Sequence, residues 1–316
     1  MKQISPLELG ATLYMPATRP DLLSIVLGER FPDLQSLVVC LEDAVSDIEV
    51  QYGLSNLERL LEQIQAAGGR SAEGPLVFVR PRNAEMAAQL NDWPLISLID
   101  GFIVPKLDCR SIDPWAKAVT RPELLLMPTL ETPDVYDSGA MVELRDALKH
   151  TFGDKIIALR IGGNDLMGCL GLRRSKTMTL YNSPMGYVIP MLAGIMGAGG
   201  YSLTAPVFER MDNPELLKAE LELDIAHGLV GKTAIHPSQI ALIHDAFRVD
   251  PEDVESAKKI LAEDAKAVFK HGGAMCEPAT HLLWARKTLD RERFYGTTRD
   301  WMPMNTTQKN LRAMNA

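Results

Sequence analysis

The chain has 316 residues, 33 lysines and arginines against 41 aspartates and glutamates, a net charge of −8, and four cysteines. That acidic balance argues against nucleic acid or an anionic membrane as the main partner, and a composition 46% hydrophobic and 23% charged argues against disorder. Cys40, Cys109, Cys169 and Cys276 form neither a CxxC pair nor a zinc-spaced cluster, and Met1-Lys2-Gln3-Ile4-Ser5-Pro6 lacks the apolar core of a signal peptide; both fit a reduced, cytoplasmic protein.

In chain order, short apolar runs rich in β-branched residues occur at 11–15, 36–41, 76–79, 101–104, 124–128, 155–161, 202–205 and, more weakly, 231–235. Unbroken runs such as Leu37-Val38-Val39-Cys40-Leu41 predict strands buried on both faces, as in parallel sheets. Helical segments lie between them. One spans 46–66 and is closed by Gly68-Gly69, another spans 134–150, a third opens at Ser183-Pro184, and a fourth runs from Asn213-Pro214 to His227-Gly228. The apolar stretch 187–196 carries Pro190 and is too short to cross a bilayer.

Eight strand–helix units predict an α/β fold, a (β/α)8 TIM barrel, which takes about 250 residues. A doubly wound sheet is the alternative, but Tyr14-Met15-Pro16-Ala17-Thr18-Arg19 is not a glycine-rich phosphate turn. The barrel is assigned residues 1–248, leaving a C-terminal helical extension over 249–316. There, Asp250-Pro251 starts a helix expected to reach Lys270, and Glu277-Pro278 starts a second. The polar tail from Thr297 is expected to be loosely ordered.

A (β/α)8 barrel carries its chemistry at the C-terminal ends of its strands. The residues just past them are Arg19, Glu42 with Asp43, Arg80 with Arg82, Lys106, Glu131, Asp165, Asp212 and His236. Any one alone reads as a solvated loop charge. A ring that mixes carboxylates and cations is the pattern of a divalent metal facing an anionic substrate. Glu131 and Asp165, from neighbouring strands five and six, suit Mg²⁺, with Mn²⁺ as a substitute, because such an ion takes one or two carboxylates and completes its shell with water and substrate. No histidine follows those strands, which disfavours zinc.

Gly162-Gly163-Asn164 offers backbone N–H groups to a substrate carboxylate at a helix start; the alternative is a ligand-free glycine turn. Arg80 is placed against a carboxylate or a developing enolate oxygen, since a guanidinium binds two oxygens and stays charged in a dry pocket. Arg82 is expected to point to solvent. Lys106 reads as a Schiff-base lysine or, with a carboxylate pair already available for metal, as the preferred structural ion pair. Arg173-Arg174-Ser175-Lys176 reads as a phosphate contact or, preferably, a basic solvated loop, and Lys232 and His236 as structural residues near strand eight.

Taken in order, Leu41-Glu42-Asp43-Ala44-Val45, Phe78-Val79-Arg80, Val104-Pro105-Lys106, Glu131-Thr132, Gly162-Gly163-Asn164-Asp165-Leu166 and Gly231-Lys232-Thr233-Ala234-Ile235-His236-Pro237 form a specific set. From about Leu13 to about residue 292 the chain resembles the HpcH/HpaI aldolase and citrate lyase family, in its citrate lyase β-subunit-like branch related to the malyl-CoA lyases. The resemblance implies a Mg²⁺-dependent carbon–carbon lyase on a (β/α)8 barrel, assembled as a homotrimer or hexamer. Its substrate would be a small carboxylic acid, carried as a CoA thioester, as an acyl-carrier-protein thioester or as the free acid, which the residues do not separate. It implies Glu131 and Asp165 as metal ligands and Arg80 as the residue that polarises the carbonyl and stabilises the enolate. Glu42 and Asp43 become an acidic edge near the metal waters, and Arg19 a substrate-binding arginine. Gly273-Ala274-Met275-Cys276-Glu277-Pro278 resembles the family's lid over a neighbouring subunit's site, with Glu277 in the place of its acid/base aspartate.

The chain also departs from that pattern. Leu9-Gly10-Ala11-Thr12 stands where the family has Arg-Ser, Ala17 replaces a glycine, and Thr204 replaces the aspartate ending strand seven. These changes leave the metal and enolate machinery in place and alter the thioester handle. They keep two rivals open: an acyl-thioester hydrolase on the same scaffold, and a non-catalytic carboxylate-binding or assembly barrel.

Overall fold

The protein is described from a computed structural model, over residues 4–298. Eight parallel strands form one sheet: β1 Ala11–Pro16, β2 Ser36–Cys40, β3 Leu76–Arg80, β4 Gly101–Val104, β5 Leu125–Leu130, β6 Leu159–Ile161, β7 Leu203–Thr204 and β8 Lys232–Ala234. They follow one another in order, β1 pairs with β8, and a bridge between Ala205 and Lys232 closes the ring. Helices α1 Leu22–Val26, α2 Val50–Ala66, α3 Ala84–Asn91, α4 Ile112–Ala118 and α5 Ser138–Thr151 follow β1 to β5 in turn. Both α6 Gly163–Cys169 and α7 Met185–Ala198 follow β6, then α8 Pro214–Ala226 follows β7 and α9 Ser238–Ala246 follows β8. This is the (β/α)8 barrel expected from the sequence. Strand six, expected over 155–161, is shorter: Lys155 ends a 3-10 turn and Ile156 makes only an isolated bridge to Leu126.

Side-chain alternation along each strand sorts the lumen into layers, because residues i and i+2 share a face. Val38, Phe78, Ile103, Met127 and Ala158 lie together in one buried apolar cluster. Two residues further along come Cys40, Arg80, Thr129 and Arg160, and two further again Glu42, Glu131 and Gly162; all of these line one cavity. An apolar plug therefore fills the bottom of the barrel and polar chemistry begins one layer above it.

The return from β7 to β8 is fastened by a buried charge network. Lys232, 0% exposed, bonds Glu220 at 2.9 Å and Asp224 at 2.7 Å. Arg174 bonds Glu220 at 2.5 Å and lies over the Phe208 ring, and the Tyr181 hydroxyl donates to Asp224 at 2.9 Å. Arg174 is thus not part of a solvated basic loop; Arg173, with its side chain 90% exposed, and the exposed Lys176 keep that character. Lys232→Met would strip the cation from between two buried carboxylates. It is expected to cost about 3–5 kcal/mol, read as a lowered urea midpoint at unchanged slope. A loss under about 1 kcal/mol would show that the network does not hold β8.

Among the described residues, those from 4 to 246 form one compact unit and those from 247 to 298 the other. Within it, α10 Pro251–Ile260 and α11 Pro278–Tyr295 flank an antiparallel hairpin, β9 Phe269–His271 and β10 Ala274–Cys276. The helix expected to reach Lys270 therefore ends ten residues early, at Ile260. Gly272 and Gly273, both at positive φ, make the two-residue hairpin turn. Cys276 packs against Ala257, Ile260 and Ala285, with Phe269 laid over the cluster, and this burial overrides the helical propensity of the segment. Apart from Thr297 and Thr298, the tail expected to be loosely ordered lies outside the described residues.

Candidate active site

The cavity at the C-terminal strand ends has a volume of about 320 Å³. Its lining includes Glu42, Asp43, Arg80, Glu131, Asp165 and Arg160. Strand β3 ends on Arg80, whose Nη2 bonds Glu42 at 2.8 Å and Glu131 at 3.0 Å, with Asp43 at 3.6 Å. Its Nε is buried with no partner. Lys106, past β4, gives its ammonium to Glu42 at 2.6 Å and Asp43 at 3.4 Å, and its backbone N–H to Glu131 Oε1 at 2.8 Å. To make both contacts it adopts φ 49°, alone among the described non-glycine residues in having positive φ. That conformation costs of order 1 kcal/mol and is the kind of strain that collects at functional sites. Lys106 is thus an ion-pair residue that also fixes the Glu131 carboxylate.

The metal reading needs two carboxylates that converge and retain free oxygens. Glu131 uses Oε1 for Arg80 and Lys106, and its Oε2 has no protein partner among the described residues. Asp165 engages in no ion pair there and lines the same cavity. Burial, and then the neighbouring Asp165 charge, push the Glu131 carboxyl up to about 7 against the pull of Arg80. A pair of acids held together with one left under-neutralised fits a hard divalent ion, which asks for no more than one or two protein carboxylates. Among the described residues no cluster of three or more metal-type side chains is present. Burial opposes the Arg80 charge, but Glu131, Tyr14 and Glu42 hold its pKa above the ordinary arginine value. Glu42, opposed by burial, is held low by Arg80, whereas burial and then Glu42 push Asp43 up.

Other expected members of the ring fall elsewhere. Arg19 is turned onto Asp21 by a paired contact at 2.8 and 2.6 Å and lines a different cavity with Asn56 and Arg59. A carboxylate two residues along the chain captures it before it can reach the lumen. Arg82, expected in solvent, is tied to the β2–α2 loop through the Leu41 and Val45 carbonyls and Asp47. Asp212 pairs with Arg210 at 3.3 Å, and His236 sits exposed against Ser238. Gly162 and Gly163 are in the cavity wall with Asn164, but packing accounts for the glycines. A Cβ on Gly162 would stand 2.4 Å from Glu131 Oε2, and one on Gly163 2.8 Å from Pro206 Cβ. Glu277 begins α11 in the C-terminal unit, where its carboxylate accepts from Thr280 Oγ1 at 3.2 Å.

Sequence reading missed Arg160. It lies in the middle of β6, 2% exposed, and lines the cavity with Tyr14, Thr129 and Thr233. The signal was available: an arginine inside an apolar strand, in phase with the lumen-facing Ala158 and Gly162.

Residues 3–297 match the family described as C-C bond lyase of the TIM-barrel fold. A (3S)-malyl-CoA thioesterase of Cereibacter sphaeroides is 26% identical over 286 residues, covering 88% of this chain and 93% of its own. A citrate lyase subunit beta-like protein of Deinococcus radiodurans is 25% identical over 279 residues, covering 85% and 90%. Among solved structures, protein CitE of Mycobacterium tuberculosis in complex with magnesium, acetoacetate and coenzyme A superposes with a TM-score of 0.65 at 21% identity, over 90% of this chain and 98% of that one.

Proposed function

The chain belongs to the C-C bond lyase family of the TIM-barrel fold, and from that membership we propose that it is a Mg²⁺-dependent carbon–carbon lyase or aldolase. Its substrate is a 2-oxo or hydroxy acid, carried as a CoA or acyl-carrier-protein thioester. The observation that carries the reading is Arg80, clamped beside a Glu131 whose second oxygen, like Asp165, is unclaimed. Glu131 and Asp165 would hold Mg²⁺ (or Mn²⁺), which would supply Lewis-acid charge beside the substrate acid.

Arg80 keeps its charge and has a buried N–H donor, Nε, without a partner. It presents that donor to the oxygen on which enolate charge develops, a preorganised contact that needs no rearrangement during the reaction. Glu42 and Lys106 hold Arg80 and Glu131 in place from the far side. The reading extends to a homotrimer or hexamer in a reducing cytoplasm, with Glu277 giving and taking a proton at a neighbouring subunit's cavity. The exposed apolar side chains of Leu282, Leu283 and Trp284 on α11 and the free state of all four cysteines support that extension. Among the described residues no helix is long and apolar enough to cross a membrane.

The hydrolase alternative draws support from the relative named a thioesterase. The non-catalytic alternative is opposed by the strained Lys106 and the charged, buried ring. Product analysis separates all three. With malyl-CoA and Mg²⁺, the lyase is expected to release glyoxylate and leave the thioester intact as acetyl-CoA. Free CoA thiol with malate would establish the hydrolase instead, and no product from any 2-oxo or hydroxy acyl thioester would sink both enzymatic readings.

A further inference from the structure

Three side chains lie side by side across β5, β6 and β7. Arg160 is the register partner of Thr129 on one side and Thr204 on the other. All three are buried, at 3% or less exposure. The Arg160 guanidinium touches only neutral groups: Thr12 Oγ1 at 3.3 Å, Thr233 Oγ1, Met127 Sδ at 3.9 Å, and the face of Tyr14 at 5.2 Å. No carboxylate among the described residues lies within ion-pair distance of it, whereas Arg80 and Lys106 are both paired. The hydroxyls of Thr129 and Thr204 beside it are buried without partners.

A lone buried cation is costly unless an anion joins it. A water molecule would satisfy the hydroxyls but leave the charge uncompensated. A carboxylate or phosphoryl oxygen, which only accepts, satisfies the hydroxyls and the charge together. The lining agrees: Glu42, Asp43, Glu131 and Asp165 face Arg80, Arg160 and the adjacent Lys106, so a bound divalent ion turns a small negative excess into a positive one. Arg160 also lies two residues below Glu131 along the barrel, a depth of roughly 6–7 Å that a short diacid spans.

We propose that Arg160, flanked by Thr129 and Thr204, is a second anion subsite on the cavity floor, selecting acids that carry a further anionic group at the end away from Glu131 and Asp165. The proposal rests on the lyase reading of the site, and its test is built to separate the two. The Mg²⁺-loaded full chain is titrated calorimetrically with pyruvate, freshly dissolved oxaloacetate and 3-phosphonopyruvate, which share a 2-oxo acid head and differ only beyond it.

The two acids with a second anion are expected to bind about tenfold or more tighter than pyruvate. Their ranking tells whether carboxylate or phosphonate is the better fit. Arg160→Met is expected to bring both to the pyruvate level while leaving pyruvate affinity unchanged, and Arg160→Lys to restore part of the preference. Equal binding of all three acids by the wild-type protein overturns the proposal. So does an Arg160→Met protein that loses pyruvate as strongly as oxaloacetate, which would mean a purely structural arginine. If Arg160→Met does not fold, the wild-type comparison still decides, together with Thr129→Val/Thr204→Val, which must narrow the preference. Absence of any Mg²⁺-dependent binding of pyruvate overturns the lyase reading itself.

Discussion

Glu131→Gln and Asp165→Asn are each expected to lower turnover by about 10²–10³-fold or more, the scale of several kcal/mol of metal-borne charge stabilisation, and to abolish the Mg²⁺-induced rise in melting temperature. The second readout does not depend on knowing the substrate. It also has a pH signature. The Glu131 carboxyl is pushed up to about 7 by burial and by Asp165, above its ordinary carboxylate value in the unfolded chain. A folded-state pKa raised in this way stabilises the metal-free protein at low pH. That contribution is lost as pH rises from the ordinary carboxylate range to about 7, by roughly 3–4 kcal/mol in all.

Metal binding needs the ionised form, so the proton and Mg²⁺ compete for Glu131. The Mg²⁺-induced shift in melting temperature should grow between about pH 6 and about pH 8 in the wild-type protein. In Glu131→Gln the residue no longer titrates and the shift should be absent throughout. Variants that keep a full Mg²⁺ response and full metal-dependent turnover would remove both residues from the metal site.

Strand positions were legible because these strands are buried on both faces, so β2 and β4 read as unbroken apolar runs. The charged ring was legible in part, because Arg80 ends a strand, Glu42, Glu131 and Asp165 follow one closely, and the fold brings strand ends together. Reading strands as runs hides their phase, and phase is what sends a side chain into the lumen. Arg160 shares its face with Ala158 and its register with Thr129, yet in an apolar run it passes as an exception. Arg19 failed in the opposite way. Its position past β1 is right, but the outcome was set by Asp21, close enough in sequence to capture it. The hairpin in the C-terminal unit was hidden because Gly272-Gly273 reads equally as a break between helices and as a hairpin turn. Burial of Cys276 against α10 and α11 selects the turn.

The glycines before Asp165 show that one sequence feature can fit two physical causes. Gly162-Gly163 reads as an open cradle for a carboxylate. The geometry gives each glycine a packing reason, Glu131 in one case and Pro206 in the other. Gly162, just past β6, therefore lets Glu131 approach the backbone there, where a Cβ would collide with it. Arg80 and Arg160 line the same cavity, both buried.

Arg80→Met is expected to reduce kcat by about 10²–10³-fold with little change in KM, the effect of removing a donor aimed at charge that develops during the reaction. The variant should still fold. Glu42 retains Lys106, and Glu131, already pushed up to about 7, can take up a proton once Arg80 is gone. Because that proton would also weaken metal binding, the comparison belongs at saturating Mg²⁺ and at a pH well above 7, where the loss of the guanidinium itself is read. Arg80→Lys is expected to recover little. An ammonium cannot hold Glu42, Glu131 and a substrate oxygen from one planar group, and here the Nη2 contacts and the unpartnered Nε are used together. A variant with normal kcat and a raised KM would make Arg80 an anchor for the ground-state carboxylate and take the enolate role from it.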